Sequence, residues 1–278
     1  MTDGEADQAF FHDGLYTKTI EDIGTLRRKL PEAAVASLAR EVIRRLSDHQ
    51  TIKSVQIDIP TESSIDDLAE ALMTPDASAG ITFVERVRAQ GASVETVYVA
   101  YLAEAAKTLG RWWDEDRVTF VDVTIAIGHV YAIMRSLRSS FYSTSTRPPT
   151  KSALFAMVPG DDHSLGVEMA ADLFRKNNWD IALQVGLSHD ALVDYISASG
   201  HDIIGLSAGS ERSIVPLAKL VVALRISVPK TSILVCGNVT CIAPDVVELM
   251  GVDAMPIQVE DALSEADRLW ANRNESKS

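Results

Sequence analysis

From Ala153 to the end of the chain, short apolar runs alternate with longer stretches of helical periodicity. No other feature limits the possible folds as much. Strand signals fall near 153–158, 180–185, 202–207, 231–236 and 253–257, and helical patterns fill 164–177, 189–199, 211–226, 242–250 and 260–272. Runs of Ala, Val, Ile and Leu suit parallel strands buried on both faces, and parallel strands require helical crossovers. Five such units predict an α/β fold, a flavodoxin- or Rossmann-like doubly wound sheet with strand order 2-1-3-4-5. Ligands of such sheets sit at the carboxyl ends of the strands where the order reverses, beside the first strand.

The first strand ends in A-L-F-A-M-V-P-G-D-D-H-S-L-G, residues 153–166. Pro159 and Gly160 break the apolar run, and a helical pattern begins near Ser164. His163 is thereby placed at the sheet edge where a ligand is met. Asp161, two residues earlier, is placed to accept the proton of one ring nitrogen and leave the other free as a metal ligand. The plain alternative is a loop histidine bonded to its neighbouring aspartate.

Upstream, residues 64–141 read as helix throughout, with candidates at 64–74, 78–90, 94–110 and 118–141. The third carries Val94, Val97, Tyr98, Tyr101, Leu102, Ala105 and Leu109 on one stripe, and the fourth is apolar nearly all round, as at the centre of a four-helix bundle. Residues 142–151, rich in Ser, Thr and Pro, read as a linker because Pro-Pro cannot continue a helix. Residues 1–63 form an extension in which Pro31–Leu46 is an amphipathic helix, packed on its own chain or offered to a partner. Val55, Ile57 and Ile59 alternate before Pro60, as a short strand or an extended linker.

Charge and composition exclude some functions. The 278 residues carry a formal net charge of -13, which repels phosphate, and the basic residues at 27–29 and 44–45 are diluted by acidic neighbours, so no direct nucleic-acid contact is expected. No apolar run approaches the roughly 20 residues of a membrane span, and the acidic N-terminus is unlike a signal peptide. The chain is therefore expected to be cytoplasmic. Cys236 and Cys241 lack the partners of a zinc site and are expected to be reduced. No G-x-G-x-x-G fingerprint follows the first strand; no catalytic residue is identified and no enzymatic activity is expected.

The spacing Asp161-x-His163-x-x-Gly166 resembles the D-x-H-x-x-G signature of cobalamin-binding domains. A helical bundle followed by such a domain looks like the modules of methionine synthase, corrinoid methyl carriers and B12-dependent regulators. The resemblance implies that His163 ligates cobalt in place of the cofactor's own base, with Asp162, Ser164, Leu165 and Gly166 of the same loop also at the cofactor. It further implies that Ser207, after the third strand, completes a hydrogen-bonded set with Asp161 and His163. Gly209 stands where the family's S-x-L has Leu, and would leave room for the buried nucleotide tail. Gly237 matches the second of the family's two glycines after the fourth strand, the first being Cys236 here; strand-to-helix turn chemistry is its plain alternative. In L-G-R-W-W, residues 109–113, Trp113 matches the tryptophan that covers the upper corrin face from the bundle, while Trp112 is expected to pack in the core.

Departures narrow the branch. Val123 and Thr124 replace the Glu-His of adenosylcobalamin photoreceptors, and Asp114 replaces the histidine after the tryptophan. The pattern W-D-E-D-R-V-T-F-V-D-V-T resembles antirepressors of photosynthesis gene regulation, the AerR/PpaA type. That implies a sensor of hydroxo- or aquocobalamin, light- or redox-responsive, acting through a partner transcriptional repressor. A corrinoid methyl-carrier subunit and a heme sensor, with His163 or His129 on iron, stand as alternatives. His129 otherwise reads as a packing or surface residue.

Overall fold

The computed structural model describes residues 60–142, 149 and 151–275. The amphipathic helix expected at 31–46, residues 51–59 of the stretch that holds Val55, Ile57 and Ile59, and most of the 142–151 linker lie outside the described residues.

Four helices form the bundle. Helix α1 spans Glu62–Met73, opened by the Thr61 hydroxyl accepting from the Ser64 N–H, and α2 spans Ser78–Ala89. The third, α3, opens over Val94–Thr96, widens into a π-helical stretch at Val97–Leu102 and returns to α over Ala103–Asp114. Helix α4 spans Phe120–Tyr142. Leu68, Leu72, Tyr98, Leu102, Leu109, Ile133 and Met134 fill the core between them. One sequence expectation is corrected here, because Phe120–Arg138 is long and apolar enough to cross a membrane by length and composition. In the fold, its Ala126, Val130, Ile133 and Met134 are buried in the bundle instead.

The second layer is the α/β sheet. Strands β1 (Lys151–Met157), β2 (Trp179–Gln184), β3 (Ile203–Ser207) and β4 (Ser232–Cys236) are all parallel and lie in the order β2-β1-β3-β4. Helices α5 (Leu165–Lys176), α6 (His189–Ser199), α7 (Ile214–Ser227), α8 (Val239–Ile242), α9 (Pro244–Leu249) and α10 (Val259–Glu275) connect and cover them. The expected fifth strand at 253–257 does not form. It reaches β4 through a single bridge, Leu234 to Ala254, and Pro256, which has no N–H to give, ends the pairing there.

Helix α5 serves both layers. Val167, Ala171 and Phe174 pack on the sheet, whereas Met169 and Leu173 belong to the bundle core. Asp172, buried on the bundle side, accepts from Arg138 Nε at 2.8 Å and Arg175 Nη1 at 3.3 Å. Tyr98, placed by the π-helical stretch, reaches the same carboxylate at 3.3 Å. Bundle and sheet accordingly lie in one compact unit, Ile57–Ser278.

Candidate functional site

The site lies at the carboxyl end of β1, where β2 and β3 flank the first strand. Asp161 is its centre, its side chain 1% exposed. Oδ1 accepts the His163 backbone N–H at 3.0 Å and faces His163 Nδ1 at 2.9 Å. Oδ2 accepts the Gly209 N–H and the Ser213 hydroxyl, each at 2.6 Å. Burial pushes the Asp161 carboxyl up, but the bonds from Gly209, Ser213 and the His163 ring and backbone outweigh it and hold the pKa down at about 2.

An ionised carboxylate only accepts, so the proton of a neutral imidazole sits on Nδ1 and leaves the Nε2 lone pair bare. The His163 side chain is 69% exposed. The arrangement thus presents one oriented ligand nitrogen to the outside. Among the described residues, no three His, Cys, Asp or Glu side chains gather to hold a metal ion. A single imidazole suits a metal that arrives already chelated.

Beside this loop lies an apolar slot of about 180 Å³, walled by Phe155, Val167, Ala170, Phe174, Leu234 and Cys236 and floored by Gly205, Ser207 and Gly237. Burial pushes the Cys236 thiol up to about 12, so it lines the slot as a neutral group. Gly166 opens onto it, and nothing lies within 4 Å of where its Cβ would be. Gly166→Leu is expected to fill the slot and weaken binding of a corrinoid carrying a nucleotide tail by roughly tenfold or more, the scale of overpacking. Binding of tail-less cobinamide is expected to stay as in the wild type, and the thermal midpoint not to fall, since glycine disfavours helix by about 1 kcal/mol. Parallel titrations with the two corrinoids test this.

The other expected residues separate into groups. The hydroxyl that completes the Asp161 set is that of Ser213, six residues beyond Ser207; Ser207 lines the slot instead. Gly209, by contrast, does not line the slot: a Cβ there would meet His163 Cβ at 2.9 Å, so the glycine makes room for the histidine. Gly237 has φ +96° and its Cβ would lie 2.5 Å from the Ala208 carbonyl oxygen, so backbone conformation and close approach demand glycine there. Asp162 is exposed, and Leu165 packs against the bundle core. Ser164 shares a hydrogen bond with Tyr131 of α4.

Trp112 is buried beneath Arg117, as expected. Trp113 is 50% exposed at the end of α3, its ring 6.4 Å from that of the exposed Phe120. His129 is committed to the bundle through Nδ1, 2.8 Å from the Leu72 carbonyl at the end of α1.

Residues 151–267 match the family described as B12 binding domain. An uncharacterized 20.5 kDa protein in the bchF-crtJ intergenic region of Rhodobacter capsulatus is 27% identical over 141 residues, 50% of this chain and 73% of the relative. Among solved structures, the monomethylamine corrinoid protein of Methanosarcina barkeri shares the fold with a TM-score of 0.62 at 16% identity, over 74% of this chain and 98% of that one. A cobalamin-binding protein from Desulfitobacterium hafniense DCB-2 overlaps with a TM-score of 0.41 at 17% identity, over 74% and 98% of the two chains.

Proposed function

We propose that the protein binds cobalamin through His163 and works as a cobalamin sensor that acts on a protein partner. The observation that carries the reading is the pairing of an exposed, Asp161-oriented imidazole with an adjoining apolar slot. The residues fit the cofactor on two independent counts. The lone ligand nitrogen matches a metal held by a macrocycle, and the slot at Gly166 matches a nucleotide tail. Heme has no such tail, so cobalamin is favoured over heme.

Cobalamin, when bound, would supply a cobalt centre for the His163 imidazole to ligate. Around it, Asp161 orients His163, Ser213 and Gly209 hold Asp161, and Gly166, Ser207 and Gly237 border the tail. Trp113 and Phe120 offer the bundle an exposed aromatic edge for a flat ring system. The regulatory reading is supported by the sequence resemblance at 113–124 to antirepressors and by an acidic chain unsuited to gripping DNA itself. A cytoplasmic, non-enzymatic role with a repressor as partner accords with it.

The test is an absorption spectrum of the full chain incubated with hydroxocobalamin or, in parallel, hemin, then desalted. Retained corrinoid with shifted bands is the expected result, and retained heme without corrinoid overturns the choice of macrocycle. Co-purification in the presence and absence of cobalamin tests the partner. Direct DNA binding by the chain alone, with no cofactor-dependent protein partner, overturns the antirepressor part.

A further inference from the structure

Ser164 occupies the N-cap position of α5, where a serine hydroxyl ordinarily accepts from a first-turn N–H. It makes no capping bond. Its hydroxyl pairs instead with that of Tyr131, at 2.7 Å, across from the bundle. The residue directly after His163 is therefore tied to α4.

A second tie lies further along the same two helices, where Arg138 Nε bonds Asp172 at 2.8 Å. From 131 to 138 is two turns of α4, and from 164 to 172 is just over two turns of α5. Two matched attachments that far apart fix both the tilt and the register of α5 on the bundle. Leu165, Met169 and Leu173 fill the space between them with apolar contact. The start of α5 cannot shift along α4 without breaking the outer bond, and His163 is one residue from that start.

We propose that Tyr131 is a positioning residue through which the bundle sets the place of His163, and so how firmly that histidine holds a corrinoid. The second half rests on the cobalamin reading above. Tyr131 touches no cofactor in this scheme; it acts through Ser164. Movement of α4 against the sheet layer is then transmitted to the ligand loop through one hydroxyl pair.

Tyr131→Phe, Ser164→Ala, their combination and Ser164→Thr test this in the full chain. Amide hydrogen exchange over residues 161–166 is read without cofactor, and the hydroxocobalamin dissociation constant and corrinoid band positions are read with it. Each of the first two changes is expected to speed loop exchange and weaken binding roughly three- to tenfold, the worth of one hydrogen bond. The combination is expected to be no worse than either alone, because both remove the same bond, and Ser164→Thr, which keeps the hydroxyl, to stay near the wild type. Unchanged exchange and affinity in Tyr131→Phe, or additive losses in the combination, overturn the proposal. A wild-type chain that retains no corrinoid overturns the cobalamin reading and the affinity half with it, and the exchange rates then decide the loop-positioning half by themselves.

Discussion

Replacing His163 by alanine is expected to strip hydroxocobalamin from the protein during desalting, with an affinity loss of at least roughly a hundredfold. Changing an outer partner of a metal ligand already costs about ten- to a hundredfold, and here the ligand itself is removed. Stability should hardly change. The side chain is 69% exposed, and its removal takes one of the bonds to Asp161 while leaving those from Gly209, Ser213 and the His163 backbone. A shift within about 1 kcal/mol in urea unfolding is therefore expected. Separating the two readouts matters, because a variant that lost cofactor by unfolding would say nothing of ligation. An alanine variant that keeps the corrinoid with wild-type band positions would remove cobalt ligation from His163 altogether.

The layered architecture was legible because it rests on periodicity. The strand and helix patterns after residue 153 recur as β1 to β4 and α5 to α10, and the stripe Val94 to Leu109 became the buried face of α3. The fifth strand was misread because an apolar run before Pro256 looks like a strand until the missing N–H is counted. At the site, local sequence placed Asp161 and His163, whose contact spans two residues. Ser213 and Tyr131 were missed because their bonds are long-range. Both involve serines at helix starts, where local propensity assigns the hydroxyl to capping, as Ser93 and Ser188 do cap their helices. Ser164 and Ser213 instead send their hydroxyls to other elements. Only the packing of α4 and β3 against the loop decides which serine does which. Gly209 was legible as a departure but not in its purpose, since nothing in one dimension places His163 upon it.

Asp161→Asn is expected to damage fold and site together, though it changes no volume. The carboxylate takes two donors on each oxygen, whereas an amide offers one oxygen and one NH₂. If the NH₂ lies on the Oδ2 side it opposes the Gly209 N–H, leaving a buried donor without an acceptor at a cost of about 1–3 kcal/mol. If it lies on the Oδ1 side it donates to His163 Nδ1, moves the imidazole proton to Nε2 and closes the nitrogen needed for cobalt. Either orientation weakens hydroxocobalamin by roughly ten- to a hundredfold. Acid adds a separate signature. The folded pKa of Asp161 is about 2 against an ordinary 3.8, so the ionised, hydrogen-bonded carboxylate contributes about 2 kcal/mol at neutral pH. That contribution is complete above pH 3.8, falls as pH drops toward 2 and is gone below it. The asparagine variant has no such group to protonate. Urea unfolding at pH 7, 5, 4 and 3 should therefore show a stability gap between wild type and variant that is constant down to about pH 4 and narrows beneath it. A gap that stays level to pH 3 would mean that the Asp161 bonds do not stabilise its charge in the folded chain.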